Sequence, residues 1–210
     1  PMKGKVLMPQ DSPYIMSFSS GGLCLRESVI LTRSYFELQD WKAARRLVLD
    51  KNLLQARMAS SAKRTVGEVL PRLQALSGEE LTYLLPASEQ DQKYLLWLAI
   101  CRRHRFIADF MVEVVHDRYM SLKDTVGTEE FNLFWMQKMV THPEIEKISD
   151  STREKLRTVL FKMIREVGII SKDNRINSVI LSPPIQSLLQ SGDTHEQLWF
   201  TTTDTNGRRV

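Results

Sequence analysis

The hydrophobic positions of this chain recur mostly at helical spacing. Residues 1–19 carry Gly4, Pro9, Pro13 and several serines without a period, and predict an irregular N-terminal arm. From Gly22 onward, Leu23, Val29, Ile30, Tyr35 and Phe36 predict a first helix ending near Gln39. Asp40 offers a side-chain oxygen at the N-cap of a second helix, Trp41 to about Asp50. A connector over 51–59 leads to a third, with Ser60 or Ser61 at its cap. There Ala62, Val66, Val69, Leu70 and Leu73 fall at i, i+4, i+7, i+8 and i+11, a single buried stripe. Pro71 lies inside it and predicts a kink or a division into two short helices, because proline lacks an N–H and crowds the carbonyl four residues back.

Residues 79–92 form an acidic interlude with Glu79, Glu80, Glu89 and Asp91. The longest helical pattern follows, about Gln90 to Tyr119, with no Gly or Pro. Its first half is apolar almost all round, as the central helix of a bundle must be. Further helices are predicted from Thr128 to Val140 and from Pro143 to Ile148. Ser151 is expected to cap another, whose Leu156, Val159, Leu160, Met163, Ile164 and Val167 make a stripe that stops at Gly168. Ile169 and Ile170, a charged turn over 171–175 and a β-prone run from Ile176 to Leu181 come next. A helix, a glycine, two aliphatics, a basic turn and a strand make up the winged helix-turn-helix pattern, whose wing tip reaches phosphates. Beyond Pro183-Pro184, residues 185–189 can add a turn of helix, and 197–203 have strand propensity. The predicted fold is mainly α: a helical bundle with helix-turn-helix elements and a small C-terminal β-hairpin of winged-helix type. Its expected parts are the arm 1–19, a helix-turn-helix-like module 20–78, a helical core 79–140, a winged-helix-like module 141–189 and a polar tail 190–210.

Composition narrows the function classes. At 210 residues with 42% hydrophobic and 26% charged content, wholesale disorder, a collagen-like fibre and a disulfide scaffold are excluded. The apolar run Tyr94–Cys101 is far shorter than the ~20 residues that span a bilayer, so no membrane association is expected. Absence of a charged n-region followed by an apolar h-region points to the cytoplasm. Cys24 and Cys101 allow one disulfide, although their apolar helical surroundings favour buried free thiols.

The net charge of +4 says little until it is placed along the chain. Over 42–76, eight Lys and Arg stand against Asp50 and Glu68, a net +6. Over 151–175, seven Lys and Arg stand against three acids, a net +4. The remaining 150 residues must therefore carry −6, an acidic body bearing two basic modules. In the first, Ser60 and Ser61 would present hydroxyls and helix-terminal N–H groups to a phosphate, with Lys63 and Arg64 in the same turn. In the second, Arg153, Arg157, Lys172 and Arg175 would contact backbone phosphates from the helix and the wing. A solvated basic face is the competing reading of each module. The run Arg102-Arg103-His104-Arg105 wraps more than one helix face, and part of it is expected to neutralise the acidic 79–91 segment.

No catalytic constellation emerges. Glu113 and His116 form a single E-x-x-H without the second copy that a di-iron bundle needs. The four histidines, His104, His116, His142 and His195, are scattered. H-E-x-x-H, C-x-x-C, G-x-S-x-G, Walker and dinucleotide motifs are missing, and Ser20-Gly21-Gly22 is too short for a phosphate loop. Trp41, Trp97, Trp135 and Trp199 sit within apolar patterns and read as core. The expectation is a non-enzyme with no metal, no cofactor and no small-molecule substrate.

Four blocks in order, SFSSGGLCLRES, NLLQARMASSAKR, LLWLAICRRHRFIADFMVEVV and REVGIISKDN followed by ILSPPIQSLL, resemble the BrxA family of BREX phage-defence proteins. The resemblance runs from about Ser17 to Leu189, with Pro71 a departure from the family pattern. It implies a largely helical protein with helix-turn-helix elements, similar in part to the RNA-binding antitermination factor NusB. It also implies double-stranded DNA as a partner, other BREX proteins as further partners, and no catalysis. The alternatives are a NusB-like module for structured RNA and a scaffold that docks BREX components.

Overall fold

Eight consecutive residues, Tyr94 to Cys101, are buried, and they form the middle of α5 (Glu89–Arg103). In the computed structural model, which describes residues 13–18, 21–203 and 207–209, neighbours surround this helix. They are α1 (Leu25–Leu38), α3 (Ala59–Leu73), α4 (Gly78–Leu84), α10 (Asp150–Val167) and α11 (Pro183–Ser191). A helix apolar on every face can be stable in water only inside such a ring. The fold is mainly helical, as the spacing predicts.

α2 (Trp41–Asp50) begins and ends where the pattern places it, and α1 ends at Leu38 as expected but starts at Leu25, three residues after Gly22. Asp40 caps α2 by accepting from Ala43 N at 2.7 Å. α1, α2 and α3 pack against one another pairwise. Pro71 neither ends nor divides α3, because it sits in the last turn and deletes only one bond before the helix stops at Leu73. The expected cap is corrected as well: α3 starts at Ala59 with Met58 as its N-cap, which puts Ser60 and Ser61 inside the first turn. Within the acidic interlude lies α4, started by a capping box in which Glu80 N donates to Ser77 Oγ and Ser77 N to the Glu80 carboxylate.

The long pattern 90–119 is not one helix. α5 breaks at His104 (φ −119°, ψ 83°), and α6 (Arg105–Phe110), a wider π-helical turn (Met111–His116) and α7 (Asp117–Met120) follow. At the break the His104 ring turns toward residues 13–18, where Nδ1 lies 3.0 Å from the Ile15 carbonyl oxygen and the ring packs edge-on to Phe18. Of the expected N-terminal arm, residues 1–12 and 19 lie outside the described residues. Past the break, Phe106 and Phe110 enter an aromatic cluster with Phe131 and Phe134 of α8 (Thr128–Thr141) and Phe161 of α10. Short α9 (Pro143–Glu146) follows α8, and Ser149 caps α10, two residues before the expected Ser151. Gly168 ends α10 in the left-handed region at φ 92°, where a glycine avoids the strain of a Cβ.

The winged-helix expectation is not supported. After Gly168 the chain does reverse, but Ile170 and Ile176 form only an isolated antiparallel bridge, and no named strand occurs among the described residues. The reason is competition for backbone groups. Ser171 N donates to Arg175 O and Asn177 N to Ile169 O, but Ile176 N donates to Asp124 O, Val126 N to Asn174 O and Val179 N to Thr201 O, so the pairing stops at one bridge and the rest of the returning segment bonds to 124–126 and 201. Nor do 197–203 form a strand. Thr194–Trp199 is a 3₁₀ turn whose Trp199 carbonyl accepts from Trp97 Nε1, with Phe200 and Thr201 buried behind it.

The start of α1 is clasped to the end of α10. Leu23 N donates to Glu166 Oε2 at 2.6 Å, while Arg72, buried in α3, donates to the Gly22 carbonyl at 2.8 Å. A Cβ on Gly22 would fall 2.4 Å from that same carboxylate oxygen. Gly22→Ala is therefore expected to push Glu166 away and leave Leu23 N–H without its acceptor. A loss of about 1–3 kcal/mol in a urea titration follows, and an unchanged midpoint would show that the clasp yields without cost.

Candidate nucleic-acid interface

The first basic module is organised by the two faces of α3. Ala62, Val66, Val69 and Leu73 point into the core, so the opposite stripe, Ser60, Lys63, Arg64 and Gly67, faces solvent. No side chain caps this helix, and Met58 holds the first turn only through its carbonyl, which accepts from Ser61 N and Ala62 N. Free N–H groups, the positive end of the helix dipole, a lysine and an arginine thus share one exposed end. Neither Lys63 nor Arg64 has an ion-pair partner among the described residues. Of the four residues expected here, Ser61 is half-buried and the other three are exposed.

The second module is less open. Arg153, half-buried, lies 3.5 Å from Asp150, and its Nε has no hydrogen-bond partner among the described residues. Arg157, one helical turn on, lines a small cleft with Thr128, Arg165 and Asn174. Arg165 donates to Asn174 Oδ1 at 2.6 Å and lies over the Phe161 ring, which ties the 171–175 turn to α10. Lys172 and Arg175 are exposed on that turn, and an isolated bridge pairs Arg175 with Thr125. The expected wing tip is therefore a turn fixed to the body, not a free hairpin.

The predicted residues fall on α3 and on α10 with the turn that follows it. α3 and α10 are linked near their C-terminal ends, around Arg72, Gly22 and Glu166. At 1.5 Å per residue, Lys63 stands about 13 Å along α3 from Arg72, and Arg153 about 20 Å along α10 from Glu166. Lys63, Arg64 and Arg153 thus stand toward the outer ends of two helices joined at their inner ends, whereas Lys172 and Arg175 lie on the turn that follows the joined end of α10.

The arginine run of α5–α6 divides by role. Arg102 reaches Glu80 at 2.6 Å and Glu196 at 2.7 Å, the neutralisation expected of the run. Arg105 bonds Asp109 and stacks on Tyr14. His104 is buried, and desolvation lowers its pKa to about 4, so it carries no charge near neutrality. Arg103 is left lining a cleft with Arg64 of α3, a placement that the sequence run does not reveal. Glu113 of the E-x-x-H pair bonds Lys138 at 2.5 Å, and no cluster of three or more metal-ligating side chains occurs among the described residues. Cys24 and Cys101 are both free thiols. No helix among the described residues is long and apolar enough to cross a membrane.

A family model for BrxA matches residues 12–193. The chain belongs to the BrxA family. Curated relatives named BREX protein BrxA include one from Escherichia coli O9:H4, 27% identical over 190 residues, covering 90% of this chain and 89% of the relative. Another, from Paramagnetospirillum magneticum, is 25% identical over 182 residues, covering 86% and 92%. A crystal structure of an uncharacterized protein from Magnetospirillum magneticum shares the fold, with a TM-score of 0.76 at 24% identity over 90% of this chain and 96% of that one. BrxA membership thus takes in both basic modules and the clasp between them.

Proposed function

We propose that the chain is a non-enzymatic component of a BREX phage-defence system that binds double-stranded DNA, mainly through backbone phosphates. The observation that carries this reading is the exposed, uncapped start of α3, where Lys63 and Arg64 stand without acidic partners. α2, the 51–58 connector and α3, braced by α1, serve as the helix-turn-helix element, with Ser60 and Ser61 adding hydroxyl donors. Arg153, Arg157, Lys172 and Arg175 form a second contact region. The relatives' names supply the BREX context.

Charge reversal of Lys63 and Arg64 is expected to weaken duplex binding about 100-fold at 0.1 M salt and to flatten the salt dependence by about two ions. Neither side chain touches the core, so the melting temperature should hold. Fluorescence anisotropy with a short duplex reads both quantities, and affinity unchanged in the double variant would remove α3 from the interface. Stronger competition by structured RNA than by duplex DNA would favour an RNA-binding module instead.

A second reading, docking on another BREX protein, draws on α8. Leu133, Met136 and Val140 fall at i, i+3 and i+7 on its outer face and are 62%, 63% and 84% exposed. A row of large apolar side chains at this spacing is the form of a helix that packs against a partner.

A further inference from the structure

Two clefts meet beside the outer face of α3. One, of about 260 Å³, is lined by Arg64, Gly67 and Glu68 of α3 and by Arg103 and His104 at the α5–α6 break. The other, of about 590 Å³, runs on past Arg103 toward Arg105. They share Pro71 and Arg103, so one groove leads from the basic start of α3 to the helix break.

The charge in this groove is not cancelled locally. Glu68 is held 2.5 Å from the buried Arg72, which leaves its carboxylate neutralised from behind. His104, facing the groove from the break, is uncharged because it is buried. Arg64 and Arg103 have no ion-pair partner among the described residues, and both line the groove, one from α3 and one from the end of α5. Arg103 is available because its neighbour Arg102 turns inward to Glu80 and Glu196.

Gly67 supplies the second, independent observation. It lies in the interior of α3, where glycine is a poor helix former. Packing does not require it, since an added Cβ would meet nothing within 4 Å. What the missing side chain does create is bare helix surface in the cleft that Arg64 and Arg103 also line, where another backbone can approach closely.

We propose that this groove is a phosphate-binding subsite for the DNA backbone, with Arg64 and Arg103 clamping a phosphate over the bare surface at Gly67. The subsite rests on the DNA-binding reading above and extends it: the duplex runs from the start of α3 across to the α5–α6 break. Arg103 adds a contact that identifies no base, so its loss weakens binding to all duplex sequences alike.

The test is salt-titrated anisotropy of the full chain with a short duplex, for wild type, Arg103→Gln, Arg103→Lys, Gly67→Gln and the Lys63/Arg64 double reversal. Arg103→Gln is expected to lose about tenfold at 0.1 M salt, with a log–log salt slope shallower by about one. Arg103→Lys should keep that slope. Gly67→Gln, which fills the groove from an exposed position, should weaken binding without lowering the melting temperature. If Arg103→Gln and Gly67→Gln bind like wild type while the double reversal loses affinity, the subsite is wrong and the DNA reading stands. If the double reversal also binds like wild type, the α3 interface fails with it.

Discussion

Arg102→Met is expected to destabilise the protein by about 3–5 kcal/mol, because it strands two carboxylates in the interior. The guanidinium donates through Nε and Nη2 to Glu196 and through Nη1 and Nη2 to Glu80, with a further bond from Nη1 to the Ala75 carbonyl. The side chains of Glu80 and Glu196 are only 3% and 9% exposed. Burial works against the charge on Arg102, but Glu196 and Glu80 outweigh it and hold the guanidinium protonated. Methionine fills much of the same volume and supplies none of the five donors. A urea titration followed by tryptophan fluorescence measures the loss, since Trp199 lies three residues from Glu196. Adding Glu80→Gln and Glu196→Gln to Arg102→Met should recover a large part of it, because the stranded charge is then gone. A loss below about 1 kcal/mol in the single variant would mean that water reaches this triad and solvates it.

Stability is expected to fall by about 3 kcal/mol between pH 6.5 and pH 4, with His104 as its principal source. Desolvation lowers the His104 pKa from 6.5 to about 4, and nearby Arg72 and Arg103 push in the same direction, against the hydrogen bond to Ile15. In the unfolded chain the imidazole takes its proton near 6.5, whereas in the native protein it resists until about 4. Through that window the unfolded state binds more protons, so acid favours unfolding, and above it the contribution is complete and flat. His116, which burial also holds below its ordinary value, adds a slope of the same sign. Unfolding free energies measured for wild type and His104→Asn at half-unit pH steps isolate the effect. Asparagine can still donate to the Ile15 carbonyl but does not titrate. Parallel curves for the two proteins would assign the acid sensitivity to other groups.

Where a helix begins or ends by a local device, the sequence makes it legible. Asp40 and Gly168 act within a few residues of themselves, and the stripes of α3 and α10 mark their inward faces directly. The break at His104 depends on Ile15 and Phe18, nearly ninety residues earlier, and no periodicity in 90–119 carries that information. The expected hairpin fails for a similar reason. Ile176–Leu181 has strand-forming side chains, but only Asn177 N bonds back to Ile169 O, while Ile176 N and Val179 N go to segments distant in sequence. For the candidate interface, Lys63 and Arg64 are readable because they occupy the polar side of a clear stripe. Arg103 is not, since adjacent arginines in one run acquire opposite roles only when Glu80 and Glu196 arrive from elsewhere in the chain.

The clasp between Leu23 and Glu166 spans 143 residues, which gives it a place in the order of synthesis. At roughly 5–20 residues per second, Glu166 follows Leu23 from the ribosome by roughly 7–30 s. During that interval α1, α2 and α3 can pair with one another, and Arg72 can already reach Glu68 and the Gly22 carbonyl. The Leu23 amide has no acceptor until α10 is made. A growing chain therefore displays Lys63 and Arg64 on a three-helix unit whose last fastening has yet to be translated.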